Sequence, residues 1–345
     1  MLFDLGLQFI MNNIIKPLEY TGSFLRVLDQ TLLPEQEIYY EYSSYQEVIL
    51  AIQKMIIRGA PSIGLAGAWA CCLAGQKIKN KTELLKAFEE IAQARPTAVN
   101  LAKAVNRLKN TCLSLPDLEL EANKMFEEDF QMCQQMASYG LTVLPNKSEY
   151  KFLTHCNTGS LATAGIGTAL GIFKLLALQS KKRLMVYACE TRPYLQGARL
   201  TAWELHKLNI PVTLLPDSAA AHLLKTEKID AVFVGADRIV ANGDTANKIG
   251  TYSLALAALV HKTPFYIVAP STSIDLSLAT GEEIEIEQRP KEELIYFQGK
   301  QIAPSQINCF NPAFDITPHN LITAFITEKG ICSPEKLKNL FQNHV

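Results

Sequence analysis

The second half of the chain alternates short apolar runs with amphipathic segments, and this alternation constrains the fold more than any other feature. The apolar runs that fit strands are 151–155, 183–188, 211–215, 230–235 and 264–269. The segments between them that fit helices are 161–178, 195–208, 217–225 and 247–261. Strands that alternate with crossover helices form a mainly parallel sheet with helices on both faces. The sequence therefore predicts a Rossmann-like α/β domain over residues 146–345.

The first part of the chain has a different pattern. Residues 24–42 alternate apolar and polar side chains around a short loop at Pro34, which indicates an antiparallel hairpin. Helical periodicity follows over 45–57, 62–76, 82–93, 97–110 and 118–138. Pro61 and Pro96 fit the first turns of the second and fourth of these helices. We therefore predict a mostly helical N-terminal domain with a small antiparallel sheet at 1–145, so that the 345 residues form two domains.

Composition and charge disfavour several classes of protein. The formal net charge is −1, so the chain lacks the basic excess that is typical of nucleic-acid-binding proteins. The apolar opening segment has no cationic leader, and polar residues interrupt the longest uncharged run at 153–173; we expect neither a signal peptide nor a membrane span. The eight cysteines are scattered without a zinc-type grouping, as in a reducing compartment. We expect a cytoplasmic protein that binds a small molecule and no metal.

Polar side chains follow the predicted strands at the point where each strand ends. These residues are Cys156, Glu190, Asp217, Asp237 and Ser271. Right-handed crossovers bring the carboxyl ends of parallel strands to one edge of the sheet, where ligands bind in open α/β folds. The sequence therefore predicts a site at this edge.

Cys156 and Asp237 are the candidates for proton transfer at this site. Cys156 lies before the helix predicted from residue 161, and a helix N-terminus favours thiolate. The neighbouring His155 points to the opposite side of the strand, so an acid/base role fits Cys156 better than a papain-like nucleophile. Asp237 in GADR can hold or relay a proton, although a plain salt bridge with Arg238 is the structural alternative.

Phosphate contacts are predicted at helix starts. Arg58 and Arg95 each precede a predicted helix, where a guanidinium and free N–H groups can together bind phosphate, although surface charge is the simpler role for either one. The segment 155–168, HCNTGSLATAGIGT, either binds phosphate or only turns the chain from strand to helix. Its glycine spacing matches neither a nucleotide P-loop nor a dinucleotide motif.

Three further polar residues are candidates for contact with a ligand. Asn247 and Lys248 open the helix predicted at 247–261, and Lys248 either reaches a phosphate or ring hydroxyl or is a solvated lysine. Gln196, with Arg199, lies in the segment after the strand 183–188 and could reach a ligand at the same edge.

The sequence resembles the methylthioribose-1-phosphate isomerase family over nearly its whole length from about residue 20. The matching stretches are LDQTLLP (28–34), IRGAPSIG (57–64), RPTAVNLAKAVNR (95–107), THCNTGSLATAGIGTALG (154–171), ETRPYLQGARLTAWEL (190–205), VGADRIVANGDTANKIGTY (234–252), PFYIVAPSTSIDLSLATGEEIEIEQRP (264–290) and NPAFDITP (311–318). Small departures are Cys189, where an acidic residue is usual, and the form DSAAAH at 217–222.

The resemblance implies an aldose–ketose isomerase that converts 5-methylthioribose 1-phosphate to 5-methylthioribulose 1-phosphate in methionine salvage. It implies a homodimer that uses no metal or organic cofactor, with Cys156 and Asp237 as the acid/base pair. The substrate contacts that it implies are Arg58, Gly59, Ala60, Arg95, Gln196, Asn247 and Lys248.

Two alternatives stay open at this point. One is an isomerase of ribose 1,5-bisphosphate, whose substrate requires a second anionic pocket. The other is a non-catalytic regulatory subunit of the translation-initiation guanine-nucleotide exchange factor. Such a subunit has no need of both Cys156 and Asp237, and this chain has both.

Overall fold

A computed structural model describes residues 15–96, 98–179 and 182–342. The opening segment that we weighed as a signal peptide and Thr97 of the predicted helix 97–110 lie outside these residues. The chain divides into two compact units, one running to Gln135 and including Thr158–Lys174, the other comprising Met136–Asn157 and the chain from Leu175. The predicted domains 1–145 and 146–345 stay a prediction.

The first unit begins with a small antiparallel sheet. Its strands are β1 Leu18–Tyr20, β2 Leu25–Leu28 and β3 Tyr39–Tyr42, in that spatial order. Leu25 and Val27 of β2 are fully buried, whereas Arg26 between them is exposed, which is the alternation of a strand with one covered face. The predicted hairpin at 24–42 is therefore confirmed, and β1 adds a third strand to it.

The helices of the first part of the chain follow the predicted periodicity. They are α1 Tyr45–Gln53, α2 Ala60–Lys77, α3 Lys81–Ala92, α4 Val99–Lys109 and α5 Leu115–Thr142. Helix α2 is apolar around most of its circumference and is buried along nearly its whole length, as expected of a helix at the centre of a core. Pro61 lies in its first turn as predicted. Pro96 does not open a helix, because α4 begins only at Val99.

The chain from Glu149 onward is built on strands and shorter helices. The strands are β4 Glu149–Thr154, β5 Arg183–Cys189, β6 Val212–Leu215, β7 Ala231–Val234, β8 Arg238–Val240, β9 Thr245–Lys248, β10 Phe265–Val268, β11 Ile274–Asp275, β12 Tyr296–Phe297, β13 Lys300–Gln301, β14 Phe314–Thr317, β15 Ala324–Thr327 and β16 Gly330–Cys332. The remaining α-helices are α6 Ala169–Gln179, α7 Ala202–Lys207, α8 Ala220–Thr226, α9 Thr251–Val260, α10 Glu292–Ile295 and α11 Leu337–Gln342.

The main sheet has seven strands in the order β16-β15-β10-β7-β4-β5-β6. Every neighbouring pair is parallel except β15 and β16. All four residues of β7, AVFV, are buried, as in a parallel strand that is covered on both faces. Phe152 of β4 packs edge-to-face on Phe233 of β7, with ring centroids 5.3 Å apart. The predicted Rossmann-like, mainly parallel sheet is thus confirmed.

The start of the helix predicted at 247–261 is wrong. Residues 245–248 form β9, which pairs antiparallel with β8 and β14, and the helix predicted from residue 247 begins at Thr251. Gly250 between them has φ +103°, a conformation that is costly for other residues. The Asp315 carboxylate accepts hydrogen bonds from the Gly250 and Tyr252 N–H groups at 2.7 and 3.1 Å and so caps α9.

Among the helices of the described ranges, none combines the length and the apolar character that crossing a membrane requires.

Candidate active site

The direction of the chain through the main sheet reverses next to β4. From β4 the chain proceeds outward to β5 and β6, then returns to form β7 on the other side of β4. In an open α/β sheet, the crevice at the carboxyl ends of the strands at such a reversal is the usual ligand site. Cys156 follows the end of β4 and Asp237 follows the end of β7. The two residues therefore lie on either side of this switch point, each after the end of a strand, where the sequence predicted them.

Cys156 has an unusual and tightly held backbone. Its φ is +63°, and only 9% of the residue is exposed. A non-glycine residue in this left-handed region costs roughly 1–3 kcal/mol unless its surroundings impose the conformation. The Cys156 N–H donates to Thr191 Oγ1 at 2.8 Å, and its carbonyl accepts from Thr201 Oγ1 at 2.6 Å.

The helix that we expected beside Cys156 begins later than predicted. A 3-10 turn occupies Ser160–Ala162, and α6 starts only at Ala169. The argument that a helix N-terminus favours the Cys156 thiolate is therefore wrong. His155 Nε2 donates to the Ile249 carbonyl at 2.8 Å, and its Nδ1 lies 3.9 Å from the Asp217 carboxylate. That His155 is not a base for Cys156 stays a prediction.

Asp237 is exposed and lies in the turn between β7 and β8. Its N–H donates to the Ala246 carbonyl of β9 at 3.0 Å, which fixes the turn. The guanidinium of Arg238 lies 3.8 Å from the Asp275 carboxylate. Arg238 thus has a carboxylate partner in Asp275, and a salt bridge with Asp237 stays the structural alternative.

Gln196 has an unsatisfied buried acceptor. Only 4% of the residue is exposed, and its Oε1 has no hydrogen-bond partner among the described residues. A buried carbonyl without a donor is costly, so such groups usually bind water or a ligand. Gln196 precedes the π-helical turn Gly197–Thr201, a local structure that is frequent at functional sites. Arg199 in this turn stacks on Tyr194, with its guanidinium 5.0 Å from the ring centroid.

Asn247 and Lys248 lie at the end of β9. Asn247 is buried, and its Nδ2 donates to Thr251 Oγ1 at 3.0 Å. The Lys248 ammonium lies 4.6 Å from the centroid of the Phe314 ring, so this lysine is not merely a solvated side chain. Burial raises the pKa of the nearby Asp315 to about 6, against the opposing effects of three backbone hydrogen bonds and of Lys248.

Three donor atoms at the same edge could in principle approach a metal ion. They belong to His155, Cys189 and Asp217, and all lie within 4.8 Å of one another; sequence spacing did not reveal this group. Zinc bonds of about 2.0–2.3 Å place tetrahedral donors only about 3.3–3.8 Å apart, so the group is loose for zinc. Burial, with Asp217 and Glu190 nearby, raises the pKa of the Cys189 thiol well above its usual range, which opposes the thiolate that a metal requires.

The first unit holds the remaining candidates. Arg58 is only 7% exposed and precedes α2, whose N-cap is Gly59. Gly59 has φ +91°, and a Cβ there would lie 2.6 Å from Ala162 Cα, so no larger residue fits. The chain can therefore bring a buried guanidinium next to the free N–H groups that begin with Ala60.

Arg95 lies near the start of a neighbouring helix. A Cβ on Gly64 of α2 would lie 3.1 Å from the carbonyl oxygen of Asn100 in α4, so the first turns of the two helices are in close contact. Farther along α2, a Cβ on Gly67 would meet Leu101 Cδ1 of α4. Helices α2 and α4 therefore run parallel and present both N-termini at one end. The sequence predicted that Arg95 immediately precedes a helix. In the structure, three residues separate Arg95 from the start of α4.

The glycine-rich segment closes on itself. Gly159 and Gly167 form a β-bridge, and the Thr168 N–H donates to the Thr158 carbonyl at 2.8 Å. The closure of the loop therefore explains these glycines. It favours the alternative that the segment only turns the chain from strand to helix. Asp129 of α5 accepts a hydrogen bond from the Ala164 N–H in the same loop at 2.6 Å.

Sequence reasoning missed Thr191 and Thr201, which hold Cys156. Both lie in ETRPYLQGARLTAWE, where only Gln196 and Arg199 drew attention. A threonine that bonds to the backbone of a residue 35 or 45 positions away leaves no local signal in a sequence.

Comparisons with known proteins agree on one family. Residues 56–334 match the model of the Initiation factor 2 subunit family. The methylthioribose-1-phosphate isomerase of Pelotomaculum thermopropionicum is 50% identical over 343 residues, which cover 95% of this chain and 93% of that protein.

Solved structures give the same result. The crystal structure of 5-methylthioribose 1-phosphate isomerase from Pyrococcus horikoshii OT3 superposes with a TM-score of 0.88 at 41% identity, covering 95% of this chain and 96% of that one. The structure of the translation initiation factor eIF-2B, subunit delta, from A. fulgidus gives a TM-score of 0.83 at 39% identity, covering 93% and 97%.

Proposed function

The chain belongs to the Initiation factor 2 subunit family, and we propose that it converts 5-methylthioribose 1-phosphate to 5-methylthioribulose 1-phosphate, with Cys156 and Asp237 as its acid/base pair. The observation that carries the proposal is the position of these two residues after β4 and β7, on either side of the switch point. A thiol and a carboxyl group are both able to exchange protons near neutral pH when their surroundings adjust them. This aldose–ketose isomerisation serves methionine salvage.

The substrate determines what the two groups must do. Its phosphate is attached to the anomeric carbon, so no free aldehyde exists and the ring must open first. The ring oxygen gains a proton, a hydrogen moves from C2 to C1, and the C2 hydroxyl loses its proton to become the ketone. We assign proton transfer at either the hydroxyl or the ring oxygen to Asp237, which is exposed, and the step on the carbon side or at ring opening to Cys156, which is buried.

The remaining candidates bind the substrate. Arg58, with the free N–H groups from Gly59 and Ala60, suits a phosphate because a guanidinium and a helix N-terminus both favour an anion. Arg95, at the parallel helix start, supplies a second guanidinium. In the second unit, Gln196, Asn247 and Lys248 suit the sugar hydroxyls. The unsatisfied Gln196 Oε1 supports this assignment, since a sugar hydroxyl would supply the donor that it lacks.

Kinetics of Cys156→Ala and Asp237→Asn test the catalytic pair. Each change should lower kcat by about 10²–10⁴-fold, the usual contribution of a positioned acid or base. Cys332→Ala is the matched control for a buried thiol of the second unit, and Asp230→Asn is the control for a carboxylate at the opposite edge of the sheet. If either active-site variant retains half of the wild-type kcat, its assigned role is wrong.

A comparison of two sugars tests the substrate. A methylthio group is apolar, and burying a second phosphate without a compensating partner is costly. We expect kcat/KM for methylthioribose 1-phosphate to exceed that for ribose 1,5-bisphosphate by at least about 10²-fold. A preference for the bisphosphate would assign the chain to the alternative isomerase. Absence of turnover with both sugars would favour the alternative of a non-catalytic regulatory subunit. The similar structure from A. fulgidus is named as a subunit of a translation initiation factor.

We further propose a cytoplasmic homodimer that binds a small sugar phosphate and no nucleic acid. All eight cysteines are free thiols, as expected in a reducing compartment, and the net charge is −1. Helix α9 supports the dimer. Apolar side chains along one face of this helix are exposed, including Leu259 at 56% and Val260 at 72%. A helix that is apolar all round is normally covered, and a second copy of the chain would cover this face.

A further inference from the structure

The left-handed backbone of Cys156 is held from both sides by a single segment of the chain. Its N–H donates to Thr191 Oγ1 at 2.8 Å, and Thr201 Oγ1 donates to its carbonyl at 2.6 Å. Thr191 and Thr201 are both fully buried. Two side-chain hydroxyls therefore occupy the hydrogen-bonding groups of the peptide units that flank the Cys156 Cα.

Each hydroxyl uses its donor and an acceptor site at the same time. Thr191 Oγ1 accepts from Cys156 and donates to the Cys189 carbonyl at 3.2 Å. Thr201 Oγ1 donates to Cys156 and accepts from Asn157 Nδ2 at 3.3 Å. A hydroxyl that has one hydrogen and must serve a fixed donor and a fixed acceptor has a single productive orientation. Valine has nearly the same shape and can make neither bond.

Asp217 fixes Thr191 in turn. Its carboxylate accepts the Thr191 N–H at 2.8 Å and the Arg192 N–H at 2.7 Å. Thr191 itself has φ +63°. A sparsely populated backbone conformation persists only where the surroundings impose it, and such residues cluster at active sites. The contacts from Asp217 to Thr191 and from Thr191 to Cys156 are surroundings that can impose such a conformation on both residues.

We propose that Thr191 and Thr201 are positioning residues that aim the Cys156 thiol by imposing its left-handed backbone. The inference rests on the proposed function, because it requires Cys156 to act in catalysis. The direction of the Cα–Cβ bond follows from the backbone conformation, so relaxation of Cys156 to negative φ would turn the thiol away from its working position. A displacement of about 1 Å from the reacting atoms can cost about 10²-fold in rate.

Four substitutions and one control test the inference. Thr191→Val and Thr201→Val should each lower kcat by about 10–100-fold while KM stays within about twofold, since the substrate contacts are untouched. Thr191→Ser and Thr201→Ser keep the hydroxyl and should retain at least about a third of the wild-type kcat. Thr327→Val, which removes another fully buried threonine hydroxyl bonded to a carbonyl, should leave kcat unchanged.

The rate at which iodoacetamide alkylates Cys156, followed by mass spectrometry of the peptide, is a second readout, and Thr327→Val shows how far a general loss of stability alone changes this rate. We expect this rate to change in the valine variants, to return toward the wild-type value in the serine variants, and to stay unchanged in Thr327→Val. If one valine variant fails to fold, the other decides, and a serine variant with less than about a third of wild-type kcat overturns the inference.

The outcomes separate this inference from the proposed function. Full activity in Cys156→Ala overturns the proposed function and this inference together. Inactive Cys156→Ala combined with wild-type kcat in the folded valine variants overturns the inference alone. A parallel loss in the valine variants and in Thr327→Val also overturns it, because that result indicates lost stability rather than lost positioning.

Discussion

Asp129 of α5 provides a prediction whose magnitude follows directly from the structure. The residue is only 7% exposed, and its Oδ2 accepts the Ala164 N–H of the glycine-rich loop at 2.6 Å. Burial raises the pKa of Asp129 from its ordinary 3.8 to about 6, although the hydrogen bond from Ala164 opposes the rise. The folded protein therefore favours the protonated carboxyl, and ionisation near neutral pH destabilises it.

The sign and size of the effect follow by linkage. Well below the ordinary pKa of 3.8 the carboxyl is protonated in both the folded and the unfolded chain. The folded chain then carries no buried charge, and the free energy of unfolding has its full value with respect to this group. As the pH rises through about 6 the folded form must ionise, and this contribution is lost. A pKa difference of about two units corresponds to roughly 3 kcal/mol in all. The side-chain amide of the Asp129→Asn variant does not titrate. The free energy of unfolding of this variant relative to wild type should therefore rise by roughly 2 kcal/mol between about pH 4 and about pH 6.5.

Urea titrations of wild type and variant at several pH values measure this difference, which cancels the titration of all other groups. Glu127→Gln removes an exposed carboxylate from the same helix and should give a difference that stays within about 0.5 kcal/mol across the range. A flat difference for Asp129→Asn, or one that falls as the pH rises, would refute the reasoning and show that the buried carboxylate is stabilised when ionised.

The remaining predictions concern phosphate binding, metal dependence and assembly. Arg58→Ala and Arg95→Ala should mainly raise KM, since a phosphate contact acts on substrate and transition state alike; an unchanged KM in both would remove them from the phosphate site. Activity should survive exhaustive EDTA treatment, because the described donor group at the sheet edge is loose and depends on a thiol that resists ionisation; loss with EDTA and recovery with a divalent ion would contradict this. Leu259→Glu should convert the proposed dimer to a monomer in sedimentation velocity, whereas Leu120→Glu, on another exposed helix position, should not. A dimer that persists in Leu259→Glu would exclude α9 as the interface.

The parallel sheet and its functional edge could be predicted from the sequence because buried parallel strands are continuous apolar runs. Runs such as 230–235, with AVFV at its centre, leave few alternatives to a strand covered on both faces. The ends of these runs then locate Cys156 and Asp237 at one edge by topology alone. These inferences depend only on local pattern and on general rules of connection, both of which a single sequence carries.

The errors occurred where a local pattern permits two structures and long-range contacts decide. TANKIGTY has apolar spacing that suits a helix, but pairing with β14 makes residues 245–248 a strand. The helix expected from residue 161 begins at Ala169 because the glycine-rich loop closes through Gly159 and Gly167. The strand β14 lies far from β9 in the chain, and the Gly159–Gly167 bridge is a backbone contact within a loop. Apolar periodicity could therefore not reveal either choice.

The adjacency of β4 and β7 explains how two residues far apart in the sequence, Cys156 and Asp237, can follow neighbouring strands at one edge of the sheet. The chain leaves β4, forms β5 and β6 on one side, and returns to the other side of β4. Insertions in the segments that connect β5 to β7 would therefore leave the pairing of Leu153 with Val232 intact. A one-residue insertion within β4 would be more harmful, because successive side chains of a strand face opposite ways. It would shift His155 and Cys156 by one position relative to the end of β4, and it would also remove the N–H and carbonyl of Cys156 from the hydroxyls of Thr191 and Thr201. The strand register and the two threonines thus both determine the direction of the Cys156 thiol.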